Sequence, residues 1–145
     1  MVFKKETIVS RLKELDTVTQ QLRSYGDLSL EDLKGNLSTR WAIERGLIAG
    51  ANLIFDIADH ILASKYRIYP ETYEDSLLMM YQKGVISETL YKKLKGLGGF
   101  RNVLVHEYLS IDLEEVYKNK NYKESLQVFT EFAKEILESD VLEGD

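Results

Sequence analysis

The chain has no cysteine in its 145 residues and only one proline, Pro70. The first absence excludes a disulfide framework, thiolate zinc sites and cysteine catalysis, and it agrees with a cytoplasmic protein. The second leaves few places where the backbone is forced to turn, which over this length favours long helices over many short strands. No alternating apolar–polar pattern marks a strand, and there is no internal repeat or low-complexity tract. The N-terminus lacks the apolar core of a secretory leader. The most apolar stretch, Gly46 to Ile57, is interrupted by Asn52 and Asp56. It falls short of the ~20 residues that a bilayer span requires, so no membrane segment is expected.

What is present fits one domain covering residues 1–145, with 44% apolar residues to build one core. The net charge is −5, unevenly spread. From Asp112 to the end there are ten acids and four lysines, whereas Ser87 to Tyr108 sets Lys92, Lys93, Lys95 and Arg101 against Glu88 and Glu107. A locally basic segment in an acidic protein permits contact with nucleic acid without requiring it.

Helical spacing organises most of the chain. Ile8, Leu12, Leu15, Val18 and Leu22 form one stripe, predicting a helix from about Lys5 to Tyr25 closed by Gly26-Asp27. Ser29-x-x-Asp32 reads as a capping box that opens a second helix running to about Ser64. That helix carries two apolar stripes. One holds Leu37, Trp41, Ile48, Ala51, Phe55, Ala58 and Leu62; the other holds Leu47, Ile54 and Ile61 and shares Ala51 and Ala58. So broad a surface suggests packing on both the chain's own bundle and a partner subunit. Gly46 and Gly50 would serve close approach in either setting. Arg67 to Pro70 is a linker. Thr72-x-x-Asp75 caps a short helix ending at Gly84, and Ser87 caps a fourth carrying Leu90, Leu94 and Leu97. Gly96, Gly98 and Gly99 weaken it by up to ~1 kcal/mol each, which points to a bend or a close backbone approach before the helix resumes to about Tyr108. A helical turn near Leu113 to Tyr117 and a last helix from about Tyr122 to Ser139 follow, with Leu142 to Asp145 frayed. The expected fold is all-α: a four-helix bundle with additional short helices.

The chemistry concentrates in Gly98 to Tyr108. Arg101, Leu104 and Tyr108 continue the stripe of Leu90, Leu94 and Leu97, so a permanent cation sits on a packing face, where it needs a partner or a polar cleft. His106 is one turn after Asn102 and shares its face. Cleavage of RNA without a metal needs a base for the 2′-OH, an acid for the leaving oxygen and a cation for the charge building on phosphate. His106 suits either proton task and Arg101 the third, through its planar fork. The structural alternative pairs Arg101 with a helix-2 acid such as Asp56 and leaves His106 as a helix cap. Asn102 would orient His106 or a phosphate, or stay a solvated amide. Five residues set Arg101 and His106 about 140° apart on a straight helix.

Arg101-x4-His106-x-Tyr108, opening within Gly99-Phe100-Arg101-Asn102, resembles the R-x4-H-x-Y signature of HEPN-domain ribonucleases, and of the HepT toxins among them. The resemblance spans roughly Ile8 to Leu137. It implies a bundle of HEPN type and a homodimer whose motifs face each other across a cleft. It also implies a metal-independent endoribonuclease with Arg101 and His106 as catalytic residues, Asn102 supporting them, and no cofactor. The expected setting is a type VII toxin–antitoxin system: RNA as substrate, and an MntA-like nucleotidyltransferase antitoxin that silences the toxin by AMPylation of Tyr108. The alternative is a non-catalytic helical module that binds a nucleotidyltransferase or a nucleotide.

Other candidates are weaker. Asp56 and His60 share a helical face, with Asp59 beside them, but no third ligand is evident, and a bundle-edge polar cluster is the better reading. Gly96 to Gly99 lacks the Gly-Lys-Ser/Thr and the preceding strand of a P-loop. Asn36-Leu37-Ser38 is a glycosylation triplet without a secretory context.

Overall fold

The computed structural model describes residues 2–106 and 122–143, which contain seven α-helices, a closing 3-10 turn and, among the described residues, no strand. The first helix, α1 (Lys5–Arg23), buries the predicted stripe of Ile8, Leu12, Leu15 and Leu22 together with Thr19, whose hydroxyl donates to the Leu15 carbonyl at 2.8 Å. It stops two residues before Tyr25, and Gly26 turns the chain with φ 71°.

The second helix differs from expectation. The Ser29 capping box is present in both limbs: Asp32 N–H donates to Ser29 Oγ at 3.1 Å, and Ser29 N–H to Asp32 Oδ2 at 2.8 Å. It opens only the six-residue α2 (Leu30–Gly35). Asn36 then leaves the helical region, at φ −141° and ψ 93°, and its side chain accepts from Thr39 N–H at 3.1 Å. Gly35 disfavours continuation, and Asn36 is among the best residue types for starting a new helix. Asn36 is therefore the cap of the 30-residue α3 (Leu37–Tyr66). Arg67, at φ 56°, closes α3 in the left-handed conformation, and Ile68 N–H reaches back to the Leu62 carbonyl at 3.0 Å.

Three short helices follow. Thr72 caps α4 (Tyr73–Gln82) and Ser87 caps α5 (Glu88–Leu94), both as the sequence predicts. The glycine-rich stretch does not merely bend a helix. Gly96, at φ 87°, separates α5 from α6 (Leu97–His106). The last helix, α7 (Tyr122–Glu138), leads into the 3-10 turn Asp140–Leu142. Of the stretch expected to fray, Leu142 instead packs against the core beside the buried Val141, and residues 144 and 145 lie outside the described residues. The turn expected at Leu113 to Tyr117 lies outside the described residues.

The core is organised around α3. The helices α1 and α7 pack on each other and on α3; α4 and α6 likewise pack on each other and on α3; α5 links α4 to α7. Both apolar stripes of α3 are covered by this chain from Ile43 onward, including Leu47, Ile54, Phe55, Ile61 and Leu62. The two glycines also serve the chain's own bundle. A Cβ on Gly46 would meet the Leu22 side chain at 2.6 Å, and one on Gly50 would overlap the Phe129 ring. Large apolar side chains of α3 stay exposed in its first two turns, where Leu37 is 50% and Trp41 58% exposed. By length and composition α3 does qualify as a bilayer span, contrary to the reading of its Gly46–Ile57 segment alone. Its apolar character is what the centre of a bundle requires, since other helices surround it.

Candidate active site on α6

The site starts from how α6 is seated. Its first residues carry N–H groups without helical acceptors, and the Glu74 carboxylate in the first turn of α4 accepts from Gly96 N–H at 2.8 Å. Two residues further on, Gly98 is buried against α4, and a Cβ there would stand 2.7 Å from Tyr73 Cβ. Only glycine allows the two helices this separation. Tyr73 is held in turn by stacking on Phe55 of α3, with ring centroids 4.4 Å apart.

This seat fixes Arg101. Its side chain crosses to α3, where Nε donates to Asn52 Oδ1 at 2.9 Å, while Nη1 donates to Asn102 Oδ1 at 3.0 Å. The guanidinium also lies over the Tyr73 ring, 5.4 Å from its centroid. The partner on α3 is thus an amide one turn before Asp56, and not the acid. Among the described residues no carboxylate forms an ion pair with Arg101. Asn102 is exposed, and its oxygen is turned to Arg101.

His106 is the last described residue of α6 and is exposed. The structure does not bring it to Arg101 within one chain: the arginine is turned into the α3–α4 junction. Tyr108 lies outside the described residues. The lysines before the motif are solvent-facing and partly neutralised, Lys92 by Glu88 at 3.0 Å and Lys93 by Glu131 at 3.1 Å. A cavity of about 250 Å³ between α5, α6 and α7 is lined by Leu94, Leu97, Val128 and Phe129 and includes neither Arg101 nor His106.

The polar cluster at the other end of α3 is internally engaged. Asp59 accepts from Ser76 Oγ at 2.6 Å, and burial pushes its carboxyl above the usual range. His60 Nε2 accepts from Lys4 N–H at 3.4 Å, and its ring lies beside Phe3. Burial, followed by the nearby Lys4 charge, pulls its pKa below the usual 6.5.

The close approach that the glycine stretch suggests is made at Gly98; Asn52, Tyr73 and Glu74 as partners of this site were not legible in the sequence. One signal was visible: Asn52 interrupts the most apolar stretch of the chain, and a polar residue there needs a partner.

Comparison with known proteins agrees with this architecture. A tRNA nuclease HepT from Aphanizomenon flos-aquae is 27% identical over 110 residues, 76% of this chain and 75% of that protein. An mRNA nuclease HepT from Shewanella oneidensis is 25% identical over 112 residues, 77% of this chain and 83% of that one. The solved structure of a tri-AMPylated Shewanella oneidensis HEPN toxin in complex with MNT antitoxin shares the fold. It has a TM-score of 0.78 at 24% identity, covering 91% of this chain and 97% of that one. Residues 15–136 match the family described as Ribonuclease HepT-like. With an all-α bundle of HEPN type and that match over most of its length, the chain belongs to the HepT-like family.

Proposed function

We propose that this protein is a HepT-like endoribonuclease, the toxin half of a type VII toxin–antitoxin pair, acting as a cytoplasmic homodimer. The observation that carries the reading is the state of Arg101. It is anchored on α3 by a neutral amide and backed by an aromatic ring, five residues before an exposed histidine. Relatives named as tRNA and mRNA nucleases support RNA as the substrate.

In the proposed reaction His106 takes the proton from a ribose 2′-OH, and the 2′-oxygen attacks the adjacent phosphorus. Arg101 stabilises the charge on the non-bridging oxygens. The P–O5′ bond breaks, a proton passes to the leaving oxygen, and the products are a 2′,3′-cyclic phosphate and a 5′-OH. These residues supply base, acid and cation, so no metal is assigned a step. The 140° offset between Arg101 and His106 is reconciled by two α6 helices facing each other across a dimer cleft. Leu37 and Trp41, one turn apart and half-exposed or more, support an interface that includes the start of α3. An MntA-like nucleotidyltransferase is the proposed antitoxin, transferring AMP from ATP to the Tyr108 hydroxyl and releasing pyrophosphate.

The test is incubation of the purified protein with total RNA, alongside Arg101→Ala and His106→Ala, with and without EDTA. Both variants should lose cleavage while keeping their helical circular dichroism, and the wild type should cleave in chelator. Undiminished specific activity in either variant overturns the assignment. Activity lost in EDTA and restored by magnesium or manganese overturns the metal-independent route.

A further inference from the structure

We infer that Asn52 is a positioning residue for Arg101, placed on α3 to hold the guanidinium without neutralising it, with Tyr73 as its backing surface. The inference rests on the proposed catalytic role of Arg101 and names what makes that arginine competent.

An arginine that leaves its helix to reach another can be anchored in two ways. A carboxylate gives the stronger bond, but it cancels the charge the chemistry needs and occupies a bidentate edge of the fork. An amide oxygen gives one directional bond and no charge. Here the anchor is Asn52 Oδ1 on Nε, at 2.9 Å and 49 residues away in sequence. The second acceptor, Asn102 Oδ1 on Nη1, is also an amide. With Nε and one Nη1 hydrogen so engaged among the described residues, one hydrogen on Nη1 and two on Nη2 are left to meet the oxygens of a phosphate. Tyr73 lies against the guanidinium, 5.4 Å from ring centroid to Cζ, and is itself stacked on Phe55. Such backing restricts the plane of the fork and leaves its edges free. Asp56, one turn on along α3, lines a hollow with Thr7 and Arg11 of α1, so the group that α3 presents to Arg101 is the amide. Asn52 is itself partly buried on α3, and its bond to Arg101 supplies its side-chain oxygen with a donor.

A purely structural role and the positioning role predict opposite orders for two substitutions. Asn52→Asp is isosteric and makes a stronger, charge-assisted bond to Nε, so it should hold the fold at least as well as Asn52. Asn52→Gln is neutral but longer by one methylene and packs less well. If Asn52 only stabilises the bundle, Asn52→Asp keeps activity and Asn52→Gln suffers more. If Asn52 keeps Arg101 anchored and charged, Asn52→Asp melts no lower than wild type yet loses RNA affinity and turnover, while Asn52→Gln retains more of both.

The experiment measures the melting temperature, the binding of a fluorescein-labelled RNA by anisotropy at several salt concentrations, and single-turnover cleavage. It covers the wild type, Asn52→Asp, Asn52→Gln and Arg101→Ala. We expect Asn52→Asp to weaken RNA binding by about 10- to 100-fold, the range associated with one hydrogen bond to a charged group, and to flatten its salt dependence. Wild-type affinity and rate in Asn52→Asp overturn the inference. If Arg101→Ala is inactive while Asn52→Asp is not, this inference alone fails. If Arg101→Ala remains fully active, the catalytic reading beneath it fails as well.

Discussion

Gly98 and Gly99 are adjacent in α6 and allow one chemical change to be tested with two opposite outcomes. A Cβ at Gly99 meets nothing within 4 Å. Replacing it with alanine removes only the helix penalty of glycine and should stabilise the protein by up to ~1 kcal/mol. A Cβ at Gly98 would lie 2.7 Å from Tyr73 Cβ and 3.2 and 3.3 Å from two ring carbons. The nearest of these is the first side-chain atom of Tyr73, tied to the α4 backbone and unable to rotate away. Ordinary carbon–carbon contact is about 3.5–4.0 Å, so α6 and α4 must separate by roughly an ångström. Overpacking of this kind costs about 1–3 kcal/mol, which more than offsets the gain in helix propensity. The two variants should therefore differ by about 1–3 kcal/mol, or several degrees in melting temperature for a domain of this size. Gly98→Ala should also reduce RNA cleavage beyond its loss of stability, because Arg101 is one turn on and its contacts to Asn52 and Tyr73 cross the same junction. Thermal and urea unfolding of both variants, with cleavage rates well below their midpoints, decide the matter. Equal stability of Gly98→Ala and Gly99→Ala would refute the close approach of α6 and α4 on which the placement of Arg101 depends.

Two further outcomes are expected. Burial, followed by the nearby Lys4 charge, lowers the pKa of His60, so the folded protein binds its proton less readily than the unfolded chain, whose value is near 6.5. Its contribution to stability is then complete above that value and is lost as the pH falls. His60→Gln should flatten the decline between about pH 7 and 5 seen by chemical denaturation, and coincident profiles would refute it. Tyr108→Phe should still cleave RNA but resist silencing by a cognate nucleotidyltransferase with ATP, as read by mass spectrometry and residual activity. An adenylyl group found on another residue would overturn the proposed switch.

Much of the secondary structure was legible because its signals are local. The caps at Ser29, Thr72 and Ser87 act on backbone groups three residues away, and all three are where the sequence puts them. The break at Asn36 rests on equally local groups, but the long apolar period running across it hides it from a reading by periodicity. The breadth of α3 was read correctly and its occupants only in part. A stripe records that something covers it without recording what, and here α1, α4, α6 and α7 cover nearly all of it. The surroundings of Arg101 were the least legible. Asn52 and Tyr73 stand 49 and 28 positions away, and nothing in the spacing of α6 points to either. Asp56, the partner that charge alone suggested, is one turn past the residue that geometry selects.

Arg101 turns inward to α3 and α4, whereas His106 is exposed, and this separation makes the proposed chemistry depend on assembly in a way that inactive variants can reveal. Let each site take its arginine from one subunit and its histidine from the other. In a mixed dimer of Arg101→Ala with His106→Ala, one site then lacks both groups and the other has both. Random exchange makes about half of the dimers mixed, each with one competent site of two, so about a quarter of wild-type activity should return. If instead each subunit completes its own site, every site in the mixed dimer lacks one group and the mixture stays inactive. The assay is to co-refold the two variants in equal amounts and measure RNA cleavage against each variant refolded alone. Recovery that grows with the mixed fraction supports the shared cleft. A mixture as inactive as its components, despite confirmed subunit exchange, places both groups in one chain and requires α6 to rearrange so that Arg101 releases Asn52 and meets His106.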